Sequence, residues 1–214
     1  MLQLKSKRGT DLMIIYYDLV AAGIKARNGF DALHIGAKQG DLDVVKVLME
    51  AHPELVMTVD VSNTTALHTA ENQGHIEVVN YLLESQSSLA TIAKSNGKTA
   101  LHSSARNGHL QVLKALLSKE PGIATRMDNK GQTALHMAVK GQNLEVVEEL
   151  IKADASLVNM VDNKGNTRCI LHLGKGALRL LNCCSRRMKQ TRKLSTGPTR
   201  QLSTLLRKCH KLRQ

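Results

Sequence analysis

The sequence predicts an all-α solenoid of repeated helix pairs, followed by a basic C-terminal tail. Three observations lead to this prediction: a motif returns every 34 residues, apolar residues make up 42% of the chain but include one Phe and no Trp, and the composition changes after residue 167. A core of Leu, Val, Ala, Ile and Met favours small helices that pack closely together. Units that recur with such a period bury their apolar faces by stacking on their neighbours.

Four copies of one motif define the period. Each copy has the form Xaa-Ala-Leu-His, and its histidine stands 34 residues after the previous one, at His34, His68, His102 and His136. A second, apolar block begins ten residues after each histidine, at Val44, Val78, Val112 and Val146. Between the two blocks lies a glycine, at Gly40, Gly74, Gly108 and, one place early, Gly141. The blocks therefore predict two helices per repeat, with the glycine ending the first.

The second copy shows why each block favours a helix. Thr65 can cap the first helix by accepting a hydrogen bond from a backbone N–H, and Leu67 and Ala70 lie on one face of that helix. Gly74 can adopt the positive φ that ends a helix. The second helix carries its apolar side chains on one face, at Ile76, Val79, Leu82 and Leu83.

This pattern resembles the ankyrin repeat, whose signature is Thr-Pro-Leu-His-x-Ala followed by a glycine and a second helix. Here alanine replaces the proline of the signature, at Ala32, Ala66, Ala100 and Ala134. The resemblance implies an ankyrin-repeat α-solenoid with a β-turn in each repeat. It implies four repeats within 29–167, at about 29–61, 62–95, 96–128 and 129–162, and the start of a fifth. Residues 1–28 resemble only the second half of a repeat, and we expect them to be partly frayed.

Some positions depart from the repeat. Asn63 stands where Gly97 and Gly131 stand in other copies, and asparagine tolerates the left-handed conformation that this turn needs. Glu71 occupies a first-helix position that small residues usually hold, so it predicts a local weakness if it faces inward. The histidines that follow the helix-ending glycines, His75 and His109, are expected to be solvated.

A narrower resemblance points to one group of plant proteins. The 34-residue spacing and the segments Lys94-Ser-Asn-Gly-Lys-Thr-Ala-Leu-His and Leu144-Glu-Val-Val-Glu-Glu-Leu-Ile are similar to ankyrin-repeat membrane proteins with a C-terminal four-helix PGG domain, which are associated with salt-stress and defence signalling. The similarity covers roughly residues 11–167. It implies a role in plant stress or defence signalling. In full-length relatives it also implies a plasma-membrane anchor, with the ankyrin part facing the cytosol.

The expected location follows from the apolar runs of the sequence. None of them approaches the roughly 20 residues that cross a bilayer, so the membrane anchor of the PGG proteins is not extended to this chain. We expect a cytoplasmic location. The cytosolic face of the plasma membrane, suggested by the resemblance, and the nucleus are the alternatives.

Residues 168–214 differ from the rest of the chain. They hold 13 Lys and Arg, no Asp or Glu, and all four cysteines, whereas residues 1–167 hold 17 basic and 18 acidic residues. The period stops here, because Arg168-Cys-Ile stands where Ala-Leu-His would continue the fifth repeat. A basic segment without a period or aromatic residues is expected to be largely disordered.

A one-base slip of the reading frame would explain the loss of period. When each codon is read as the last base of one residue and the first two of the next, Cys169-Ile170 gives only His or Tyr at 170, one period after His136. Asn182-Cys-Cys gives leucine at both 183 and 184. Other positions permit repeat residues without requiring them. We therefore hypothesise that residues 168–214 are a frameshifted fifth and sixth repeat, produced by mutation, splicing or a wrongly assigned frame.

The tail also admits functional interpretations. Cys183 and Cys184 lie beside a cluster of Lys and Arg, a combination found in palmitoylated, polybasic membrane contacts. The same Lys and Arg residues are typical of nuclear-import or nucleic-acid-binding patches. The absence of aromatic residues disfavours nucleic acid as the partner. The cysteine spacing lacks the two C-x₂-C pairs typical of zinc sites. A basic-tail protein directed to the nucleus or a membrane surface is therefore the alternative function.

The sequence favours a non-catalytic scaffold without a metal or cofactor. It contains no phosphate-binding glycine loop and no Ser/His/Asp set or carboxylate pair with a reason to converge. The repeat histidines occur once per repeat and are spread along the stack. In ankyrin repeats this histidine is a structural hydrogen-bonding residue between neighbouring loops, and the resemblance implies the same role here.

The resemblance places partner binding on the turn tips and the first helices, and exposed positions on a rigid scaffold commonly carry function. On the turns the predicted binding positions are Val61, Ser62, Thr64, Ser95, Asn96, Lys98, Asn129, Lys130 and Gln132. On the first helices they are Lys38, Gln39, Asn72, Gln73, Arg106, Asn107 and Lys140. Because this surface is polar, amide-rich and mildly basic, we expect a protein partner with an acidic or hydrogen-bonding face.

Overall fold

The computed structural model describes residues 24–164, which form four helix pairs stacked in two layers. The first helix of each pair, called the inner helix, is α1 (Ala32–Gln39), α3 (Ala66–Gln73), α5 (Ala100–Asn107) or α7 (Ala134–Gly141). The second, called the outer helix, is α2 (Leu42–Ala51), α4 (Ile76–Ser85), α6 (Leu110–Lys119) or α8 (Leu144–Ala153). Inner helices contact inner helices and outer helices contact outer helices. The predicted all-α repeat solenoid is confirmed.

The apolar core lies between the two layers and continues from one repeat to the next. In the second repeat, Leu67 and Ala70 of α3 and Val79 and Leu82 of α4 have no solvent exposure, as their helical spacing predicts. Burying a Leu or Val side chain stabilises the fold by about 1.5–3 kcal/mol. A single helix pair would leave part of this surface in water, so the contacts between repeats complete the core.

A 3₁₀ turn follows each outer helix and leads to the turn tip of the next repeat. These 3₁₀ turns are Pro53–Met57, Ser87–Thr91, Pro121–Thr125 and Ala155–Asn159. Each buries two adjacent apolar residues, for example Leu89 and Ala90. The turn tips that follow comprise residues 60–64, 94–98, 128–132 and 162–164. In the third repeat an antiparallel bridge between Ala93 and Thr99 closes the tip.

The inner helices end at the predicted glycine in three repeats and one residue later in the fourth. Gly40 adopts the left-handed conformation with φ 76° at the end of α1, and its two successors behave alike. In the fourth repeat the helix includes Gly141, and Gln142 takes the left-handed conformation with φ 59°. A residue with a Cβ pays about 1–2 kcal/mol there, so the early glycine leaves strain at Gln142. Asn63, with φ 58°, is left-handed as predicted.

The described residues cover the helix pairs but not the two ends of the chain. No helix within residues 24–164 is long and apolar enough to cross a membrane. The predicted N-terminal half-repeat lies almost wholly outside the described residues. The predicted disordered tail and its frameshift hypothesis lie wholly outside them.

Candidate functional site

The four repeat histidines are buried, and the rings of His34 and His102 join neighbouring repeats. The Nε2 atom of His34 lies 2.8 Å from the backbone oxygen of Thr64, and that of His102 lies 2.9 Å from the backbone oxygen of Gln132. Each acceptor belongs to the turn tip of the following repeat. In these two repeats the predicted structural role of the histidine is confirmed. Among the residues that the structure describes, no three His, Cys, Asp or Glu side chains are placed to hold a metal ion.

The other ring nitrogen faces the beginning of its own helix. In the second, third and fourth repeats Nδ1 accepts a hydrogen bond from the backbone N–H of the capping threonine at 3.2–3.3 Å, from Thr65, Thr99 and Thr133. An Nδ1 atom that accepts carries no proton, so the neutral ring has its proton on Nε2. Burial lowers the pKa of His68 to about 3 and also lowers the pKa of His102. Both rings are therefore neutral at physiological pH.

The first repeat replaces the capping threonine with Asp31. Its Oδ1 accepts the backbone N–H of His34 at 3.0 Å and lies 2.8 Å from His34 Nδ1, while its Oδ2 accepts the hydroxyl of Thr58. Burial alone would lower the pKa of His34, but hydrogen bonds to Asp31 and to the Thr64 carbonyl raise that pKa above its ordinary value. Burial alone would raise the pKa of Asp31, but the bonds from His34 and Thr58 lower it. The first repeat thus holds a buried Asp–His pair, which is an ion pair when His34 is protonated.

A second set of contacts joins the ends of the first three inner helices to the next repeat. His75 Nε2 donates to the backbone oxygen of Lys38 at 3.1 Å, and His109 makes the same bond one repeat later at 3.3 Å. Asn143 replaces the histidine in the fourth repeat and donates to the oxygen of Arg106 at 2.9 Å. The last carbonyls of a helix lack intrahelical partners, and these side chains satisfy them. The expectation that His75 and His109 are simply solvated is therefore wrong.

The ring of His75 also explains the glycine at the end of α1. A Cβ atom at Gly40 would lie 2.6 Å from Cε1 of the His75 ring. The φ of 76° at Gly40 independently disfavours any side chain. The helix-ending glycine is therefore required both by its own backbone and by the contact with the next repeat.

The second and fourth turn tips, which hold Asp60 and Asp128 at their first position, are shaped by that aspartate. Oδ1 of Asp60 accepts the backbone N–H groups of Ser62 and Thr64 at 2.8 and 2.7 Å. Asp128 does the same for Lys130 and Gln132, at 2.9 Å each. Asp128 is buried. Both carboxylates therefore serve the fold, and the buried Asp128 presents little negative charge to solvent.

Amide side chains of the tips bind the neighbouring tip. Asn129 donates from Nδ2 to the backbone oxygen of Ser95 at 3.1 Å, and Asn163 donates to the oxygen of Asn129 at 3.1 Å. Asn63, at the fourth position of its tip, instead reaches forward and donates to the backbone oxygen of Ala93, just before the next tip, at 2.6 Å. Part of the amide-rich surface predicted for a partner therefore also holds the stack together.

The structure exposes most of the predicted binding positions. The exposed ones are Val61, Ser62, Ser95, Asn96, Asn129 and Lys130 on the tips, and Lys38, Gln39, Asn72, Gln73, Arg106 and Asn107 on the inner helices. Thr64, Lys98 and Lys140 are half-buried. Asn107 donates to the Asn72 backbone and side-chain oxygens at 3.3 and 3.1 Å. All of them belong to the turn tips and the inner-helix layer.

The exposure predicted for Gln132 is wrong. Its side chain is only 3% exposed. Its Oε1 accepts a hydrogen bond from Lys140 Nζ at 2.9 Å, and its Nε2 lies 3.4 Å from Asp162 Oδ2. The backbone oxygen accepts from His102. The neighbouring inner helix and the next tip therefore enclose this residue.

Glu71 faces inward, which is the condition under which the sequence predicts a weakness. It has no solvent exposure, and neither carboxylate oxygen makes a well-formed hydrogen bond. Burial raises the pKa of Glu71 well above its ordinary value, and the charge of Lys94 and the hydroxyl of Ser103 offset this only in part. The other repeats hold Ala37, Ala105 and Val139 at this position.

Lys94 is the charged neighbour that sequence reasoning missed. It stands at the first position of the third turn tip, where the other repeats hold Asp60, Asp128 and Asp162. An alignment of the four repeats shows this difference, because lysine replaces aspartate at this position in one copy only. The second and third repeats thus carry two departures, Glu71 and Lys94, whose charges interact.

Charge in the third and fourth repeats is divided between the two layers. The extended segments, tips and inner helices at 92–108 and 126–142 contain six Lys and Arg but one acid, Asp128, which is buried. The outer helices and 3₁₀ turns at 109–125 and 143–159 contain three bases and five acids. There Lys114 and Lys152 lie 3.8 and 3.5 Å from Glu149. The inner layer therefore carries an excess of positive charge.

Comparison with known proteins agrees with this architecture. The family model for ankyrin repeats, in three copies, matches residues 6–92 and 87–162. An ankyrin repeat-containing protein of Arabidopsis thaliana is 61% identical over 55 residues, which are 26% of this chain and 10% of the relative. The match therefore spans about a tenth of that relative's length. Ankyrin repeats are protein-interaction modules, typically without catalytic activity. Because the ankyrin-repeat family model matches most of this chain, the chain belongs to the ankyrin repeat family.

Proposed function

We propose that this chain is a non-catalytic scaffold that binds a partner protein through its turn tips and the ends of its inner helices. The observation that carries the proposal is the exposure pattern of these helices. In α3, residues 66–71 are buried in the stack, whereas Asn72 and Gln73 at its end are exposed. In α5, Arg106 and Asn107 are exposed in the same way.

The same positions also vary between repeats. The first of them holds Lys38, Asn72, Arg106 or Lys140, and the second holds Gln39, Gln73, Asn107 or Gly141. The leucine and histidine of the motif stay the same in all four copies. Side chains that the stack does not require are free to determine which partner binds, and a few of them usually supply most of the binding energy.

The proposed biological role is plant stress or defence signalling. It is supported by the resemblance to the PGG-domain group and by the local identity to the Arabidopsis thaliana relative. We propose the cytoplasm as the location, with the cytosolic face of the plasma membrane as the alternative. A fluorescent fusion with and without residues 168–214 tests the basic-tail alternative, because deletion changes the location only if the tail directs it.

The binding face is tested by affinity purification from plant cells with the full chain as bait. Arg106→Ala with Asn107→Ala should reduce recovery of a bound partner by about tenfold, as expected for one energetically important contact. Glu77→Ala with Glu84→Ala on the exposed side of α4 is the matched control. Circular dichroism checks that both variants remain folded, since Asn107 also bonds to Asn72. Equal recovery by folded wild type and Arg106/Asn107 variant would contradict this binding face.

A further inference from the structure

We propose that the partner of this face is an acidic, extended protein segment bound at the third and fourth repeats by Lys98, Arg106 and Lys130. These three residues are called the basic patch. The inference rests on the proposed function, because it names the chemistry of the partner that the same face binds. The inference also restricts the proposed binding face from four repeats to the third and fourth.

The charge of the basic patch is not neutralised by its own repeats. Within residues 24–164, Lys98, Arg106 and Lys130 form no ion pair, whereas the outer-layer bases Lys114 and Lys152 both approach a carboxylate. On the inner-layer side, the acids of these repeats and of the tip that follows them are Asp128 and Asp162, which are 6% and 5% exposed. Asp128 Oδ1 already accepts two backbone N–H groups, and Asp162 Oδ1 accepts that of Lys164. An incoming carboxylate therefore meets an unopposed positive surface, which favours association with an acidic partner.

The stack itself does not need these bases. One period earlier, the three positions hold Thr64, Asn72 and Asn96, all uncharged. Residues 58–74 of the second repeat contain no Lys or Arg at all. Since the same fold position accepts a neutral side chain, the bases of the basic patch serve something other than folding.

The spacing of the basic patch suits an extended chain better than a small anion. Lys98 and Lys130 lie on adjacent tips, which are joined by the 3.1 Å bond from Asn129 N to Asn96 O. Arg106 lies eight residues after Lys98, about 12 Å along the helix direction. An extended chain rises about 3.3 Å per residue, so acids about four residues apart reach both levels. The guanidinium of Arg106 can pair with one carboxylate through two parallel hydrogen bonds.

Other polyanions fit this surface less well. Recognition of anionic lipid headgroups is typical of about 4–8 Lys and Arg clustered beside a transmembrane helix or on one amphipathic helix. The six Lys and Arg of residues 92–108 and 126–142 are instead divided among two turn tips, an extended segment and two inner helices, and each of these helices carries one. Single-stranded nucleic acid binding relies on aromatic side chains that stack on the bases, and residues 92–108 and 126–142 contain no aromatic residue. An acidic protein segment is therefore the occupant that the charges favour.

The position of binding is tested by zero-length carbodiimide cross-linking of the full chain to a synthetic peptide. The peptide carries Glu at every fourth position between serines, and a peptide with Gln in place of Glu is the control. We expect cross-links at Lys98 and Lys130, found by mass spectrometry of the digest, with the Glu peptide only. They should weaken as salt is raised. Cross-links confined to the outer helices or to the lysines of residues 168–214 would overturn the proposal.

The contribution of the basic patch is tested by replacing each base with the residue found one period earlier. Lys98→Thr, Arg106→Asn and Lys130→Asn together should weaken peptide binding about tenfold, as three exposed ion pairs would. The control variant, Lys46→Asn, Lys114→Asn and Lys119→Ser, removes the same charge from the outer layer. It uses Asn80 and Ser85 of the second repeat as its models, and its affinity should stay within about twofold. Equal losses in both variants would overturn the proposal.

Two further outcomes separate this inference from the proposed function. In the first, vesicles of phosphatidylcholine with phosphatidylserine bind the wild type but not the variant that lacks the basic patch, and the Glu peptide does not bind. The ligand of the basic patch would then be a membrane and not a protein. If the Glu peptide fails to bind but Arg106→Ala with Asn107→Ala still reduces partner recovery, the binding face stands. The acidic nature of the partner would then be wrong.

Discussion

His34 and Asp31 form a buried pair inside the first repeat, with 2.8 Å between Nδ1 and Oδ1 and no exposure of either side chain, and it is an ion pair when His34 is protonated. In the other three repeats the same ring nitrogen lies 2.9 Å from a threonine hydroxyl. The residue that caps the helix therefore decides the charge of a buried ring. The ordinary cap leaves a neutral histidine, whereas the aspartate stabilises the imidazolium because both ring nitrogens then donate.

Replacing Asp31 with threonine should lower the pKa of His34 below its ordinary value. The variant removes the acceptor that raises this pKa and leaves burial, which lowers it. NMR titration of the ring protons measures the change, with His68, at a pKa of about 3, as an internal reference. The reciprocal change Thr99→Asp should raise the pKa of His102. An unchanged His34 titration in Asp31→Thr would refute this account.

The pair also predicts how stability depends on pH. The pKa of His34 is raised on folding, so its contribution is complete below about pH 6.5 and is lost as pH rises through the folded value. The pKa of Asp31 is lowered on folding, so its contribution is present above about pH 3.9 and is lost as pH falls through the folded value. Between these two pH values, the free energy of unfolding of the wild type should therefore exceed that of Asp31→Thr by the largest amount. Urea unfolding of both chains across pH 4–8 measures this, and a constant difference would argue against it.

Glu71→Ala should stabilise the array at neutral pH. A buried polar group without a hydrogen bond costs about 1–3 kcal/mol, and alanine is the residue that the first and third repeats hold there. Since the folded pKa of Glu71 is raised, the carboxyl binds a proton that the unfolded chain releases, and its relative stability falls as pH rises above the unfolded pKa near 4.3. The gain from alanine should therefore shrink as pH is lowered through that value. Urea unfolding measures it, and the reciprocal Ala105→Glu should destabilise. A less stable Glu71→Ala at pH 7 would contradict the prediction.

Gly40→Ala should destabilise the array by more than about 1–2 kcal/mol. That range is the cost of a Cβ in the left-handed conformation, and the added atom would also meet the His75 ring. His75→Ala relieves the contact, so the cost of Gly40→Ala should be smaller in that background. The matched control is Gly122→Ala, whose Cβ would meet only a glutamate side-chain oxygen at 3.3 Å. Alanine there should be neutral or stabilise by about 0.4–1 kcal/mol. Equal effects at the two glycines in urea unfolding would be inconsistent with these contacts.

The period allowed the architecture to be predicted, because every repeat places the same residue in the same environment. Leu67 and Ala70 are buried and Arg106 is exposed for this reason. Contacts made across the boundary between repeats were harder to predict. His75 bonds to Lys38, which is 37 residues away, and no spacing within one copy indicates where that ring points.

Gln132 was missed for a related reason. Its position in the turn suggests exposure, but Lys140 and Asp162 enclose it only when the fourth repeat and the next tip are in place. The aligned repeats did show that Lys94 replaces an aspartate, but its closeness to Glu71 depends on how the second and third repeats stack. Sequence therefore predicts positions within a repeat, whereas interactions between non-consensus residues need the three-dimensional stack.

Restoring the repeat pattern at Glu71 and Lys94 should give a gain larger than the sum of its parts. Lys94→Asp alone supplies a tip acceptor of the kind that Asp60 and Asp128 provide. It also removes the positive charge that offsets the burial of Glu71, so it should bring little stability or reduce it. In the Glu71→Ala background the loss disappears, because no buried carboxyl remains. The new tip acceptor should then stabilise the array by about 0.5–2 kcal/mol, by comparison with helix-capping acceptors.

A double-mutant cycle in urea unfolding at pH 7 measures this coupling. Wild type, both single variants and the double variant should give an interaction of about 0.5–3 kcal/mol that favours the double variant. Lys98→Asp, in the same tip, provides the control, because Lys98 is not among the groups that perturb Glu71. Its effect should be similar with and without Glu71. Additive effects of Glu71→Ala and Lys94→Asp would show that Glu71 and Lys94 are energetically independent. Glu71 would then be tolerated between the second and third repeats without stabilisation by Lys94.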